Sequence, residues 1–135
     1  MKDVLHFIDK AADSGLLLGG INTDPATTSA HEPGVKLDGG KSPVLRGMFH
    51  YFPRACSAVG TVSEAGAKKY TWKGWETVAN GEDRYGDALA RHILYEAIEG
   101  DYDGETDLLH AAHAAWNALA RLELILKRLP VKSAE

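Results

Sequence analysis

Two histidines, His110 and His113, lie one helical turn apart near the C-terminus, with Asp107 before them and Asn117 after them. At 100° per residue, the four side chains fall within about a third of a helix's circumference. Imidazole and carboxylate groups bind divalent cations, which assist phosphate hydrolysis by neutralising phosphate oxygens and acidifying water. The stripe therefore predicts one wall of a metal-assisted phosphate-hydrolysis site.

A second set of candidate ligands lies on the preceding helical segment, residues 84–99. His92, Glu96 and Glu99 share one face of this segment, and aliphatic side chains occupy the other face. A turn over residues 100–104 would pair the two helices antiparallel, so that these groups face the two histidines of the last helix. Carboxylates suit Mg²⁺ or Mn²⁺, whereas imidazoles shift the preference towards Mn²⁺, Co²⁺ or Zn²⁺. Without a metal, the same groups would form a buried salt-bridge network.

The elements that position these groups are predicted to be helices, because no alternating strand pattern of useful length occurs. The predicted fold class is therefore all-α. Helical segments are predicted at residues 44–70, with a bend or interruption at Pro53, at residues 84–99, and from Glu105 or Thr106 to Leu129. Thr106 or Asp103 could cap the last helix, because a side-chain oxygen can accept a hydrogen bond from a free backbone amide.

The whole chain, residues 1–135, is predicted to form a single domain, because a chain of this size can bury one sizeable core. We expect a short helix over residues 1–18, a flexible loop over 19–43, a helical core over 44–129 and a tail over 130–135. The loop is rich in glycine and proline. Long loops in compact domains are either disordered or functional, so this one is either a tether or a flap over a site.

Composition excludes several classes of partner and site. The net charge of −4 argues against broad electrostatic attraction to nucleic acid. Cys56 is the only cysteine, so neither a disulfide framework nor a cysteine-based zinc site can form within one chain. Residues 1–18 carry five charged side chains and resemble neither a signal peptide nor a membrane span. We therefore expect an intracellular, cytoplasmic protein.

A lysine- and glycine-containing segment supplies candidate phosphate contacts. Lys36 and Lys41 flank Gly39 and Gly40, and such glycines let backbone amides approach an anion. The upstream glycine of a P-loop is missing, so the segment does not match that motif. Lys69, near the end of a predicted helix, could instead interact with the helix dipole.

Four motifs together resemble the phage dATP/dGTP diphosphohydrolase family, a branch of the MazG-like all-α nucleotide pyrophosphatases. The motifs are Lys36-x-Asp38-x-Gly40-Lys41, Gly66-Ala67-x-Lys69-Tyr70, Arg91-His92 and His110-x-x-His113-Ala114-Ala115-Trp116-Asn117. They occur in the family's order and span about residues 35–126. Within the family, the chain is most similar to the MazZ-type dGTP diphosphohydrolases of phages that replace adenine with 2-aminoadenine.

The resemblance implies an activity and an assembly. The activity is hydrolysis of a deoxyribonucleoside triphosphate, with dGTP favoured over dATP, to the monophosphate and pyrophosphate with Mg²⁺ or Mn²⁺ as cofactor. The dGMP would feed synthesis of the 2-aminoadenine nucleotide in the cytoplasm of the phage's host. The implied fold is a MazG-like helical bundle completed by oligomerisation, as a homodimer or homotetramer.

The resemblance also implies site residues, with one departure from the family pattern. Glu96-x-x-Glu99 matches the first acidic pair of MazG-like enzymes, but His110-x-x-His113 stands at the position of the second pair. The predicted metal ligands are His92, Glu96, Glu99, Glu105, His110 and His113, with Glu96 and His113 as catalytic groups. The predicted substrate-binding residues are Lys36, Lys41, Lys69, Arg91 and Asn117.

Two other functions compete with this prediction. An HD-type phosphohydrolase would also be α-helical and rich in histidine and aspartate, but it needs an adjacent His-Asp pair, which the sequence lacks. A non-enzymatic helical assembly module would use the polar stripe as an oligomer interface.

Overall fold

The structure is a computed structural model that describes residues 33–34 and 36–130. The predicted helix over 1–18 lies outside the described residues, as do most of the predicted loop over 19–43 and residues 131–135 of the predicted tail. Within the described part, the regular structure is helical, with one isolated bridge between Tyr102 and Leu109. The all-α prediction is confirmed. The chain divides into two compact units, Met1–Met48 with Val131–Glu135, and Phe49–Pro130.

The described part of the first unit contains a tight turn. Gly40 has a φ of 76°, in the left-handed region that glycine tolerates, and the Lys41 amide donates to the Asp38 carbonyl at 3.1 Å. Lys36 Nζ lies 3.8 Å from Asp38 Oδ2 across an exposed ion pair. A short π-helix, Leu45–Phe49, follows this turn.

The second unit contains three α-helices and a 3₁₀ turn. The helices are α1 (Pro53–Lys69), α2 (Gly81–Glu99) and α3 (His110–Arg128), and the 3₁₀ turn is Gly74–Thr77. The predicted interruption at Pro53 is confirmed, because α1 begins there. Proline suits the first turn of a helix, where its missing N–H has no intrahelical partner.

The start of α3 was predicted wrongly, because the helix begins at His110 and not at Glu105 or Thr106. Asp107 has a φ of 57°, a left-handed conformation that cannot continue a right-handed helix. The predicted cap was also wrong, because Leu109 is the N-cap residue and no side chain caps α3. Asp107 therefore does not share a helical face with the two histidines.

Helices α2 and α3 run antiparallel, as predicted. Glu82 at the start of α2 pairs with Arg128 at the end of α3, with an Oε1–Nε distance of 2.7 Å. At the other end, Glu99 lies near His110. The connection spans residues 100–109, longer than the predicted turn over 100–104. The His92 face of α2 consequently faces the start of α3.

Aromatic packing joins the helices at the middle of the bundle. Trp75, Tyr85 and Trp116 form an edge-to-face cluster with ring centroids 5.7–6.1 Å apart. Tyr85 donates its hydroxyl hydrogen to the Trp75 carbonyl at 2.8 Å, and Trp116 donates Nε1–H to Ser63 Oγ of α1, also at 2.8 Å. Each aromatic pair of this kind contributes about 0.5–1.5 kcal/mol to stability beyond the effect of the area it buries. The cluster fixes the rotation of α3 about its axis, and therefore where its histidines point.

The outer face of α2 carries exposed aliphatic side chains. Ile93, Leu94 and Ile98 are 60%, 55% and 67% exposed. None of the described helices combines the length and apolar character that a membrane-crossing helix requires.

Candidate metal centre

Two imidazoles meet where α2 passes the start of α3. His92 Nδ1 lies 3.0 Å from His110 Nδ1. His110 is completely buried, and its backbone amide donates to the Asp101 carbonyl at 2.8 Å, which fixes the start of α3. Metal–nitrogen bonds are about 2.0–2.1 Å, so nitrogens at this separation subtend about a right angle at a shared ion. The pair can share one proton or one cation.

Asp103 completes a group of three candidate ligands. The ligand atoms of His92, Asp103 and His110 all lie within 4.8 Å of one another. Asp103 Oδ2 accepts both the Thr106 backbone N–H at 2.9 Å and its hydroxyl hydrogen at 2.8 Å. Burial alone would raise the pKa of Asp103, but these hydrogen bonds and the nearby histidines hold it below its usual value. The carboxylate is therefore ionised and oriented towards the imidazoles.

Asp103 was not among the ligands predicted from the sequence, where it was only a candidate helix cap. Its loop lacks a periodic pattern, so helical geometry could not place its side chain beside His92. The available signal was its position in the connection between the two helices that carry the histidines.

His113 supports this group through stacking and a hydrogen bond. Its ring is parallel to that of His92, with centroids 4.5 Å apart and 7° between the planes. His113 Nε2 lies 2.8 Å from Thr106 Oγ1. The one hydroxyl hydrogen of Thr106 is donated to the ionised Asp103, so His113 must donate Nε2–H to Thr106. The ring thereby steadies the loop that carries Asp103.

Burial keeps two of these imidazoles neutral. It lowers the pKa of His92, and the neighbouring His113 lowers it further, against the opposing charge of Asp103. Burial likewise lowers the pKa of His113, again opposed by Asp103. A neutral imidazole has a free lone pair, which is the form that binds metals.

The residues His92, Asp103, His110 and His113 form the cluster. Glu99 approaches it at His110, on the side of the ring away from His92. Its Oε2 lies 3.6 Å from His110 Nε2, the ring nitrogen that does not face His92. That nitrogen is buried and has no hydrogen-bond partner within 3.5 Å among the described residues. The structure thus brings together four of the predicted metal ligands: His92, Glu99, His110 and His113.

The other predicted residues of the second unit lie outside this contact network. Lys69 Nζ lies 2.6 Å from Glu105 Oε1, and this hydrogen bond raises the pKa of Lys69. Within residues 36–130, neither Glu96 nor Arg91 forms a hydrogen bond or ion pair with the cluster, and both are exposed. Asn117 is buried and donates Nδ2–H to the His113 carbonyl at 2.8 Å, a bond along its own helix.

Lys36 and Lys41 belong to the first unit. Their assignment as phosphate contacts stays a prediction, as do the roles assigned to Glu96, Glu105 and Arg91.

The donor set fits a divalent transition metal. Two imidazoles and one carboxylate suit Mn²⁺, Fe²⁺, Co²⁺ or Zn²⁺ better than Mg²⁺, which prefers oxygen ligands. Three protein ligands would leave coordination positions for water and phosphate oxygens. The Asp103 side chain is 17% exposed, so part of this carboxylate contacts solvent.

Comparisons with known proteins agree with the sequence motifs. Residues 31–133 match a family model described as dATP/dGTP diphosphohydrolase, N-terminal. The chain is also 38% identical over 82 residues to a protein of Salmonella phage PMBT28 named dATP/dGTP diphosphohydrolase. The alignment covers 61% of this chain and 26% of the phage protein, so the chain matches about a quarter of its relative's length. No solved structure is significantly similar to the chain.

Proposed function

The chain belongs to the dATP/dGTP diphosphohydrolase family, and from this membership we propose that it hydrolyses dATP or dGTP in a metal-dependent site. The observation that carries the proposal is the convergence of His92, Asp103 and His110, whose ligand atoms lie within 4.8 Å of one another. Mn²⁺ is the proposed cofactor, with Mg²⁺ as the weaker fit to two imidazoles.

In the proposed reaction, a water oxygen bonds to the α-phosphorus of the triphosphate. The bond from that phosphorus to the bridging oxygen of the β-phosphate breaks, and pyrophosphate leaves with the bridging oxygen. A bound divalent ion would supply positive charge at the phosphates and make water more acidic. His92, Asp103 and His110 would hold the ion, while Thr106 and His113 keep Asp103 in place.

The attacking water must lose a proton, and Glu96 and His113 are the proposed acceptors. His113 stacks directly on His92, beside the candidate ligands. Glu96 lies three residues before Glu99 on α2, so its side chain lies about one turn from the cluster. The family resemblance implies catalytic roles for both groups. Removal of either side chain should therefore reduce turnover.

Basic side chains are the proposed triphosphate contacts. Lys69 and Glu105 form an exposed ion pair between the end of α1 and the loop that carries Asp103. Exposed pairs contribute little to stability, so a phosphate group can replace Glu105 at little cost. Arg91 precedes His92 on α2, and Lys36 and Lys41 are proposed as further contacts. Asn117 is proposed to bind the nucleotide.

We further propose dGTP as the preferred substrate, because the motifs are most similar to the branch that serves 2-aminoadenine phages. The dGMP product would then feed synthesis of the 2-aminoadenine nucleotide. The reaction would take place in the host cytoplasm, where deoxyribonucleoside triphosphates are used for replication.

A homodimer or homotetramer is proposed on a separate observation. Ile93, Leu94 and Ile98 leave an aliphatic face of α2 largely exposed. Continuous apolar surface of this kind is typical of interaction sites. The same face would also suit the other candidate function, a helical assembly module, in place of the polar stripe that the sequence suggested as its interface.

An assay of dATP, dGTP, dCTP and dTTP with Mn²⁺ or Mg²⁺ tests the proposed reaction. We expect dGTP turnover that yields dGMP and pyrophosphate in equal amounts and stops when a chelator is added. Release of inorganic triphosphate would indicate HD-type chemistry instead. No turnover with any nucleotide would favour the assembly module.

A further inference from the structure

His110 offers its two ring nitrogens to two different partners. Nδ1 faces His92 Nδ1 at 3.0 Å, and Nε2 faces Glu99 Oε2 at 3.6 Å. The side chain is completely buried, so its ring is held in this orientation. The lone-pair directions of the two ring nitrogens diverge. An ion bound to Nδ1 beside His92 is therefore not the ion that a carboxylate beside Nε2 would bind.

The Glu99 carboxylate lies close to the outer ring nitrogen of His110, Nε2. His110 Nε2 is buried and has no hydrogen-bond partner in the part of the chain that the structure describes, and a buried polar nitrogen without a partner is destabilising. A small movement of the half-exposed Glu99 side chain would close 3.6 Å to a hydrogen bond. Metal-bound histidines commonly donate their other N–H to a carboxylate, which fixes the tautomer and the ring orientation.

We propose that Glu99 is a positioning residue that acts through His110 and is not itself a metal ligand. Its carboxylate accepts Nε2–H of His110 and so leaves the lone pair of Nδ1 directed at the cation. This inference rests on the proposed metal-dependent function, because the cation is the one held by His92, Asp103 and His110. It revises the predicted ligand set, in which Glu99 binds the metal directly.

The fold explains why Glu99 occupies this place. Helix α2 ends at Glu99, and Gly100 turns the chain with a φ of 98°, which side-chain-bearing residues rarely adopt. One residue later, the Asp101 carbonyl accepts the His110 amide at 2.8 Å. The same turn therefore fixes the backbone positions of Glu99 and His110 relative to each other. The Tyr95 ring packs edge-on against His110, with centroids 6.2 Å apart, and helps to bury it.

The tautomer of His110 can be measured directly in the metal-free protein. Long-range ¹H–¹⁵N spectra of histidine-labelled protein at about pH 8, above the ordinary histidine pKa, distinguish the two neutral tautomers. We expect His110 to carry its proton on Nε2 in the wild type. In Glu99→Ala, we expect a mixture of tautomers or a shift to Nδ1–H. A wild-type proton on Nδ1 would overturn the proposal.

Mn²⁺ titration, followed by the loss of the free-ion EPR signal, tests the consequence for binding. Glu99→Ala should weaken Mn²⁺ binding about 10–100-fold, the usual effect of removing such a supporting group. Glu99→Gln keeps an acceptor oxygen and should lose less affinity. Glu64→Ala removes an exposed carboxylate on α1 that pairs with Lys68, and it should bind Mn²⁺ like the wild type.

The two experiments separate this inference from the proposed function. If the wild type binds Mn²⁺ and hydrolyses dGTP while Glu99→Ala binds Mn²⁺ equally well, Glu99 is not a positioning residue and the proposed function stands. If the wild type binds no Mn²⁺, the metal-dependent function and the inference that rests on it both fail. The unfolding midpoint of each variant shows whether an affinity change reflects loss of the fold.

Discussion

Thr106 connects a candidate metal ligand, Asp103, to His113, which does not belong to the group of three candidate ligands. Its hydroxyl donates to Asp103 and accepts from His113, and its backbone amide also donates to Asp103. One small side chain therefore determines the orientation of a carboxylate and the tautomer of an imidazole. This arrangement requires a hydroxyl group, which leads to a specific mutational prediction.

Thr106→Val replaces the hydroxyl with a methyl group of similar size. We expect the free energy of unfolding to fall by about 1–3 kcal/mol, because the half-buried His113 Nε2–H loses its acceptor. Mn²⁺ affinity should fall by about tenfold or more, because Asp103 loses one of its two donors. Urea denaturation and Mn²⁺ titration measure the two effects. Thr106→Ser keeps the hydroxyl and should retain most of the wild-type stability and Mn²⁺ affinity. Equal losses in the valine and serine variants would show that the Thr106 hydroxyl does not orient Asp103 and His113.

The histidines also predict how stability depends on pH in the metal-free protein. The pKa values of His92 and His113 are lowered in the folded state, so below about pH 6.5 the unfolded chain binds more protons than the folded one. Their contribution is fully present above that pH and is lost as the pH falls through the lowered values. Thermal melts between about pH 7.5 and 5 should show a falling midpoint. The midpoint should fall less steeply with pH in His92→Gln. An equally steep fall in that variant would exclude His92 as a cause of the pH dependence.

At the scale of the elements, sequence periodicity predicted the helices better than it predicted the site. The repeat of apolar residues predicted α2, α3 and their antiparallel pairing, so His92 and His110 were expected to meet. Periodicity could not place Asp103, because the loop conformation depends on Asp107 in a left-handed conformation and on the Thr106 hydrogen bonds. Asp107 was therefore predicted to belong to the site, and Asp103 was not.

Gly81 lies where α2 packs closely against α3. A Cβ atom at this position would lie 2.6 Å from Leu124 Cδ1 and 3.3 Å from Tyr85 Cε2, so at least one of these side chains must move. We expect Gly81→Ala to lower the free energy of unfolding by about 1–2 kcal/mol, the usual range for overpacking. The measurement is urea denaturation with fluorescence detection of the nearby Trp75.

Gly60→Ala is the matched control for this substitution. Gly60 lies within α1, and a Cβ there would meet no atom within 4 Å. Alanine favours a helix over glycine by about 1 kcal/mol, so this variant should be as stable as the wild type or more stable. Equal destabilisation by both substitutions would show that the approach of α2 to α3 is not tight at Gly81.

At the scale of the whole molecule, the exposed aliphatic face of α2 is the structural basis for the proposed oligomer. This face carries Ile93, Leu94 and Ile98, while His92 and Glu99 lie on the face directed towards α3. A second copy that covers the aliphatic face would remove apolar side chains from water at about 25 cal/mol per Å². The proposed assembly and the proposed metal binding would therefore use different faces of the same helix.

The double variant Ile93→Glu/Ile98→Glu tests this face. Light scattering coupled to size-exclusion chromatography should give a dimer or tetramer for the wild type and a smaller species for the variant. Thr61→Glu adds a charge at an exposed position of α1 and should keep the wild-type mass. An unchanged mass in the double variant would mean that the oligomer forms elsewhere, and a monomeric wild type would contradict the oligomer itself.

Equilibrium binding of Mn²⁺ to the metal-free protein most directly tests the central claim, that His92, Asp103 and His110 form a metal site. Asp103→Asn is the decisive variant, because it keeps the shape of the side chain and removes the charge of the only carboxylate in the group. We predict that the wild type binds Mn²⁺ and that Asp103→Asn binds it at least about 10–100-fold more weakly. Equal affinity in the two proteins, or no Mn²⁺ binding by the wild type, would contradict the account.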